Sequence, residues 1–303
     1  MTNYCDICGE KSERQARHHS ACLRRLFGTP LLPSLQLSRS DVLIRAREMA
    51  GKMSISGVQP KLSFAREGSR LVPVAQGGQY LLKPQTETFP VLPENENACM
   101  LIAGRLGITV PEHGLFELLD GSLAYIVCRF DRTKEGVKKR CEDFAQILGQ
   151  DKYTGSLEQV GKWLRKISSV PGLDAQLFFE RALLCFLLGN GDAHLKNFSV
   201  LESEEGELRL APAYDIVCSK LVIPNEEECA LTLRGKKNQI TRKDFEYLGE
   251  HLEIPKKAGA DIFHRFKEGG KAMTEQIERS RLPTDCKVRM RQILETRRER
   301  IFG

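Results

Sequence analysis

The sequence predicts an α+β fold in two lobes, β-rich over residues 53–130 and mostly helical over 131–303, preceded by a distinct segment at 1–52. Short apolar stretches separated by glycine-bearing turns fill the first lobe. Helical patterns dominate from about residue 142 onward, and CRFDRTKEG, 128–136, has the polar make-up of a linker between the two.

Taken in order, SRSDVLIRAREMAGK (38–52) reads as a helix with Ser38 or Ser40 as N-cap, Val42, Leu43, Ala46 and Ala50 on one side, and Gly51 as its stop. KLSFAR, RLVPVA and QYLLKP read as strands divided by Glu-Gly-Ser and Gly-Gly turns. A helix then runs through PENENACMLIAGRLG, with Pro93 near its start, acidic Glu94 and Glu96 in its first turn and Gly107 past its end. HGLFELLDGSLAYIVCRF is a hairpin around Asp-Gly. Further helices are expected at 142–149 and 156–168, and LFFERALLCFLLG, apolar on every face, suits the central helix of a domain. NFSVLES and LRLAPAYDIV form two strands around a Glu-Glu-Gly turn, and from 242 to the end the chain is helical and charged.

Composition narrows the function classes. The longest apolar run, ALLCFLLG at 182–189, falls far short of the ~18 residues that cross a bilayer, and the first residues are too polar for a signal peptide, so a cytoplasmic location is expected, with no membrane partner. Seven of the ten cysteines are scattered without paired spacing and read as reduced thiols. The net charge of +6 is dispersed, which permits contact with a polyanion without arguing for it. The other three cysteines lie at the N-terminus. Cys5 and Cys8 form C-x2-C, and His18 or His19 with Cys22 would complete a Cys3His zinc site of structural type, with surface thiols as the alternative.

The chemistry concentrates at LLGNGDAHLKNFSVL, 187–201, where an apolar helix runs into Gly-Asn-Gly and then Asp192, His194, Lys196 and Asn197. Asp-x-x-x-x-Asn is the spacing of phosphoryl-transfer loops, in which the Asp orients a hydroxyl and the Asn holds Mg²⁺. Asp and Asn are common in turns, so the match gains weight only from other parts. Lys83 ends an apolar strand, where a phosphate-contacting lysine belongs, and Glu96 follows thirteen residues later in a helical first turn, able to pair with it. Asp215 closes the next hairpin, placed to be a second metal-binding carboxylate. KMSISGVQPK, 52–61, holds Ser54, Ser56, Gly57 and Lys61, and matches neither G-x-G-x-x-G nor a P-loop. The order of lobes and loop is that of a protein kinase.

With these parts in place, SISGVQPKLS, YLLKPQ, ENENACMLIAGRLGITVPEHGL, RFDR, EDFAQILG, KYTGS, GNGDAHLKNFSVL and LAPAYDIV together resemble the HipA family of serine/threonine kinase toxins of bacterial toxin–antitoxin systems. The resemblance implies a protein-kinase-like fold, ATP and Mg²⁺ as cofactors, Asp192 as the catalytic residue and Asn197 and Asp215 as Mg²⁺ ligands. It implies ATP contacts from Ser56, Gly57, Val58, Gln59 and Lys61 in the loop, Lys83, the hinge Cys128, Arg129 and Phe130, and His194, Lys196, Asn197, Tyr214 and Asp215. It further implies autophosphorylation at Ser54 or Ser56, where a phosphoserine would compete with the γ-phosphate.

Full-length members carry a further β-rich subdomain before the SISG-like loop, whereas only 53 residues precede it here. That is similar to the short HipT-type branch, whose missing subdomain is a separate small antitoxin subunit. The family also implies an aminoacyl-tRNA synthetase as protein substrate and a helix-turn-helix antitoxin, through which alone DNA would be met. The readings weighed against it are a non-catalytic pseudokinase module and a small-molecule kinase on a similar fold.

Overall fold

The computed structural model describes residues 3–12, 16–50, 59–133 and 135–303. Ser54, Ser56, Gly57 and Val58 therefore lie outside the described residues. The chain divides into two compact units: residues 1–101 with 111–138 and 278–282, and residues 102–110 with 139–277 and 283–303.

The first unit opens with α1 (Ser20–Phe27), which buries Cys22, Leu23, Leu26 and Phe27 and stops at Gly28. Next comes α2 (Arg39–Ala50), whose Ser38 Oγ accepts the Asp41 N–H at 3.2 Å while Asp41 accepts the Ser38 N–H at 2.8 Å. That reciprocal cap fixes where the helix begins. The strands are β1 (Leu62–Glu67), β2 (Arg70–Pro73) and β3 (Tyr80–Pro84), followed by α3 (Leu92–Arg105) and the hairpin β4 (His113–Glu117) and β5 (Leu123–Cys128). All pairings are antiparallel, in the order β2-β1-β3-β5-β4. Leu62, Phe64, Leu82 and Ile126 point to one buried face and meet Val42, Leu26 and Phe27 there. Because the side-chain period is two, this register leaves Lys83 opposite Tyr125.

In the second unit the predicted helix at 142–149 begins later. Cys141–Asp143 form β6, paired with β7 (Ser199–Glu202), and α4 spans Phe144–Leu148. The Asp143 carboxylate accepts the Gln146 N–H at 3.0 Å, an N-cap that holds the helix start at 144. The expected hairpin is thus a three-stranded sheet, β6-β7-β8, with β8 at Leu208–Leu210. β8 is shorter than LRLAPAYDIV suggests: Pro212 has no N–H to give, and the Ala213 N–H turns to the Thr109 carbonyl at 2.8 Å.

Helix α5 (Leu157–Ile167) packs along α6 (Pro171–Leu188), and α7 (Arg242–His251), α8 (Lys256–Glu268) and α10 (Thr284–Phe302) also lie against α6; α9 is Gly270–Arg279. From Phe178 to Leu188 every α6 residue is buried, as its all-round apolar pattern requires. Near its start Asp174, 0% exposed, is held by Arg209 at 2.9 Å, the Ser168 hydroxyl at 2.6 Å and the Leu210 N–H at 2.8 Å. A buried carboxylate is tolerated only with such partners.

Candidate active site

Helix α6 ends at Gly189, whose φ of 76° closes the last turn in the left-handed region. Gly191 follows for a different reason: a Cβ there would sit 2.3 Å from the Glu227 carbonyl oxygen. Its N–H is donated to Ser219 Oγ at 2.8 Å, and that hydroxyl reaches Glu226 at 2.6 Å. The glycine-bearing turn is therefore seated against the segment around 219–227, and Asp192 emerges exposed just beyond it.

The loop is internally tied. The His194 N–H is donated to the Asp192 carbonyl at 2.8 Å and to Asn197 Oδ1 at 2.9 Å, and Leu195 N–H to the Lys152 carbonyl at 3.0 Å. Asn197, 7% exposed, donates through Nδ2 to Asp215 Oδ2 at 2.9 Å. Asp215 stands at φ 58°, a left-handed conformation that costs a non-glycine residue of order 1–3 kcal/mol. Tyr214 donates to the Lys196 carbonyl at 2.7 Å, fastening the chain before Asp215 to the loop. Burial pushes the His194 imidazole below its ordinary value; the Lys152 charge adds to this, while Asp192 and Asp215 oppose it. Its Nδ1 is buried without a hydrogen-bond partner.

The first unit assembles its own pair. Lys83 Nζ donates to Glu96 Oε1 at 2.7 Å, with the two residues 6% and 2% exposed, and the ammonium lies 5.7 Å from the Tyr125 ring centre. β3 supplies the lysine and α3 the glutamate, which sits just past the first turn expected for it because the helix already begins at Leu92; Glu94 is the acidic residue of that turn. At the predicted hinge, the Cys128 N–H goes to the Glu112 carbonyl at 2.8 Å and the Arg129 N–H to the Gln79 carbonyl at 2.7 Å. Those two backbone donors are therefore engaged within the protein. Arg129 itself clamps Asp131 in a two-pronged pair at 2.9 and 2.7 Å. Half-buried Gln59 and Lys61 lead into β1, and Gln59 Nε2 is buried without a partner.

Residues 53–274 match the family model described as HipA-like C-terminal domain. The chain belongs to that family. The HipA-like chain is 34% identical over 199 residues to a Haemophilus influenzae protein named "Putative kinase", covering 61% of this chain and 58% of that relative. With a Sinorhizobium fredii relative named "Putative kinase Y4dM" it shares 33% identity over 271 residues, 82% of this chain and 65% of the relative. It thus spans less than two thirds of the length of either. Among solved structures, Shewanella oneidensis HipA, in complex with HipB and operator DNA, superposes with a TM-score of 0.72 at 21% identity over 97% of this chain and 75% of that one. The Helicobacter pylori proinflammatory kinase CtkA gives 0.54 at 18% identity, over 78% of this chain and 90% of that one. At such identities the likeness is one of fold, and the fold is the α+β, kinase-like one.

Sequence reasoning about the HipA-like chain missed Tyr153, whose hydroxyl donates to Asp192 Oδ1 at 2.8 Å and whose ring meets His194 edge-on at 5.3 Å. It lies 39 residues before Asp192, and nothing local in KYTGS marks it. The braces Ser219 and Glu226 were equally invisible. Ahead of the matched residues, the N-terminal segment brings Cys5, Cys8, His19 and Cys22 together, their ligand atoms all within 4.8 Å of one another. The alternative His18 is turned away, its Nε2 3.2 Å from the Leu115 carbonyl.

No helix among the described residues is long and apolar enough to cross a membrane.

Proposed function

We propose that this chain is an ATP-dependent protein serine/threonine kinase of the toxin type, transferring the γ-phosphoryl group of ATP to a protein serine. The reading rests above all on Asn197 and Asp215, eighteen residues apart, meeting at 2.9 Å beside an exposed Asp192. An amide oxygen and a carboxylate are hard donors that suit Mg²⁺. Asp215 would hold it, joined by Asn197 once its amide, whose Oδ1 here accepts the His194 N–H while Nδ2 faces Asp215, turned its oxygen to the ion. When bound, the ion would neutralise charge on the phosphates.

Asp192 has one oxygen already engaged: Tyr153 donates to Oδ1, which leaves Oδ2 to orient the acceptor hydroxyl and take its proton. Lys83, held in place by Glu96, supplies the cation for the phosphates. The orphaned His194 Nδ1 and Gln59 Nε2 are buried polar atoms of the kind a bound ligand satisfies. Ser56 to Lys61 would form the nucleotide loop and Cys128 to Phe130 the adenine hinge.

Autophosphorylation at Ser54 or Ser56 would act as an off switch, setting almost two negative charges where the γ-phosphate binds. An aminoacyl-tRNA synthetase as substrate and a separate small antitoxin subunit follow from the sequence resemblance. A helix-turn-helix antitoxin that brings DNA is favoured by the complex in which the Shewanella protein was solved.

The test is incubation with labelled ATP and Mg²⁺ beside Asp192→Asn. The expected outcome is label on the wild type and on a synthetase and none with the variant, with phosphate at Ser54 or Ser56 by mass spectrometry. Equal behaviour of wild type and variant would refute the assignment. Label on small molecules alone would redirect it to a small-molecule kinase.

A further inference from the structure

The N-terminal Cys/His segment takes no part in the chemistry above, yet its geometry is that of a metal site. A tetrahedral Zn²⁺ with Zn–S near 2.3 Å and Zn–N near 2.1 Å spaces its sulfur ligands about 3.8 Å apart and sulfur from nitrogen about 3.6 Å. Here His19 Nδ1 lies 3.4 Å from Cys8 Sγ and 3.8 Å from Cys22 Sγ, and all four ligand atoms fall within 4.8 Å of one another. That span has room for one ion and none for a multi-iron cluster. Direct hydrogen bonding among thiols would not call for the imidazole to face both sulfurs with the same nitrogen.

The surroundings are those of a ligand set. His19 Nε2 lies 3.1 Å from the Lys11 carbonyl, which fixes the proton on Nε2 and turns a bare Nδ1 toward the sulfurs. Arg25 donates toward Cys22 Sγ at 3.6 Å, a cation beside a site that would carry net negative charge with three thiolates. Cys5 and Cys22 are 1% and 3% exposed. Four protein ligands close the coordination shell, which excludes a catalytic role for the ion.

What the segment touches suggests its purpose. The Asp6 carbonyl, next to Cys5, accepts both the Leu115 N–H of β4 and Asn97 Nδ2 of α3, each at 3.2 Å. Gly114 is the residue that lets it come so close, since a Cβ there would sit 2.8 Å from Ile7 Cγ1 and 3.1 Å from Asp6 O. Asn97 is then fixed from its other side by His113 at 3.1 Å. Asn97 adjoins Glu96, the partner of Lys83. β4 is an edge strand, and the segment covers it.

We propose that Cys5, Cys8, His19 and Cys22 bind a single structural Zn²⁺, and that this metal anchors α3 through Asp6 and Asn97 and so keeps Glu96 in reach of Lys83. Binding converts three thiols to thiolates and releases their protons to solvent, with no redox change. The proposal stands whatever the chain phosphorylates.

The experiment uses the full chain purified under reducing conditions. Elemental analysis is expected to find stoichiometric zinc, and cobalt(II) exchange the visible spectrum of a tetrahedral thiolate site. His18→Ala should retain the metal and His19→Ala should lose most of it. Should Cys22→Ala fail to fold, zinc is instead stripped from the wild type with a chelator, and hydrogen exchange is followed across 92–101. Exchange there should speed by at least tenfold and return when zinc is restored. Absent zinc with no cobalt spectrum, iron in its place, or metal lost with His18→Ala and kept with His19→Ala would overturn the site. Stoichiometric zinc whose removal leaves exchange at 92–101 unchanged would overturn the anchoring role.

Discussion

Glu96→Gln isolates the charge of the Lys83 pair, because it keeps the side-chain shape and an acceptor oxygen while removing the counter-ion. Both residues are almost fully buried and 2.7 Å apart, so the variant takes a counter-ion from an ammonium in a low-dielectric setting. Removing one partner of such a pair costs about 3–5 kcal/mol. An independent bound agrees. The loss is capped because the lysine can shed its proton, which at pH 7 lies about 3.4 pH units below its ordinary 10.4 and so costs about 4.6 kcal/mol. At pH 9 the same deprotonation costs only about 1.9 kcal/mol.

In the variant the native state binds fewer protons at Lys83 than the unfolded state, so its stability rises with pH. The deficit against wild type should therefore shrink by about 2–3 kcal/mol between pH 7 and 9. Because two compact units need not unfold together, the readout is hydrogen exchange of β3 and α3 amides, corrected for intrinsic rates. Replacing both partners, as Lys83→Met with Glu96→Leu, should recover most of the loss. A deficit below about 1 kcal/mol at pH 7, or one that does not change with pH, would refute this account of the pair.

The remaining predictions concern chemistry, pH and the helical unit. Asp192→Asn, at an exposed position, should leave thermal unfolding within about 0.5 kcal/mol of wild type. Its initial rate of phosphoryl transfer should nevertheless fall about 10²–10⁴-fold. Burial pushes the His113 imidazole down to about 3, so between that value and its unfolded 6.5 the native state binds fewer protons. The first unit should accordingly lose up to about 1.4 kcal/mol per pH unit as pH falls below about 6.5, and His113→Gln should flatten that slope in exchange measurements from pH 7 to 5. Asp174→Ala leaves Arg209 and the Leu210 N–H without their carboxylate, and should cost about 3–5 kcal/mol in urea unfolding of the helical unit.

Elements whose pattern is local were legible in the sequence. The all-round apolar α6, the capped α2, the Asp-Gly hairpin of β4 and β5, and the acidic first turn of α3 follow from periodicity, caps and turn residues within a few positions. So did the placement of Lys83 at a strand end and of Asp192 and Asn197 after a glycine turn, because strand and helix ends announce themselves in composition.

What the sequence could not decide depends on atoms far apart in the chain. Whether Cys141–Asp143 begins a helix or joins a sheet was settled by a free edge on β7, which no window of a few residues contains. Pro212 shortened β8 by sending the next N–H to Thr109, a hundred positions away. The choice of His19 over His18 turned on which ring the fold aims at the sulfurs and which at Leu115. Tyr153 reached Asp192 across 39 residues. Side-chain chemistry is written residue by residue, but a hydrogen bond needs its partner within about 3 Å, and only the folded chain supplies that distance.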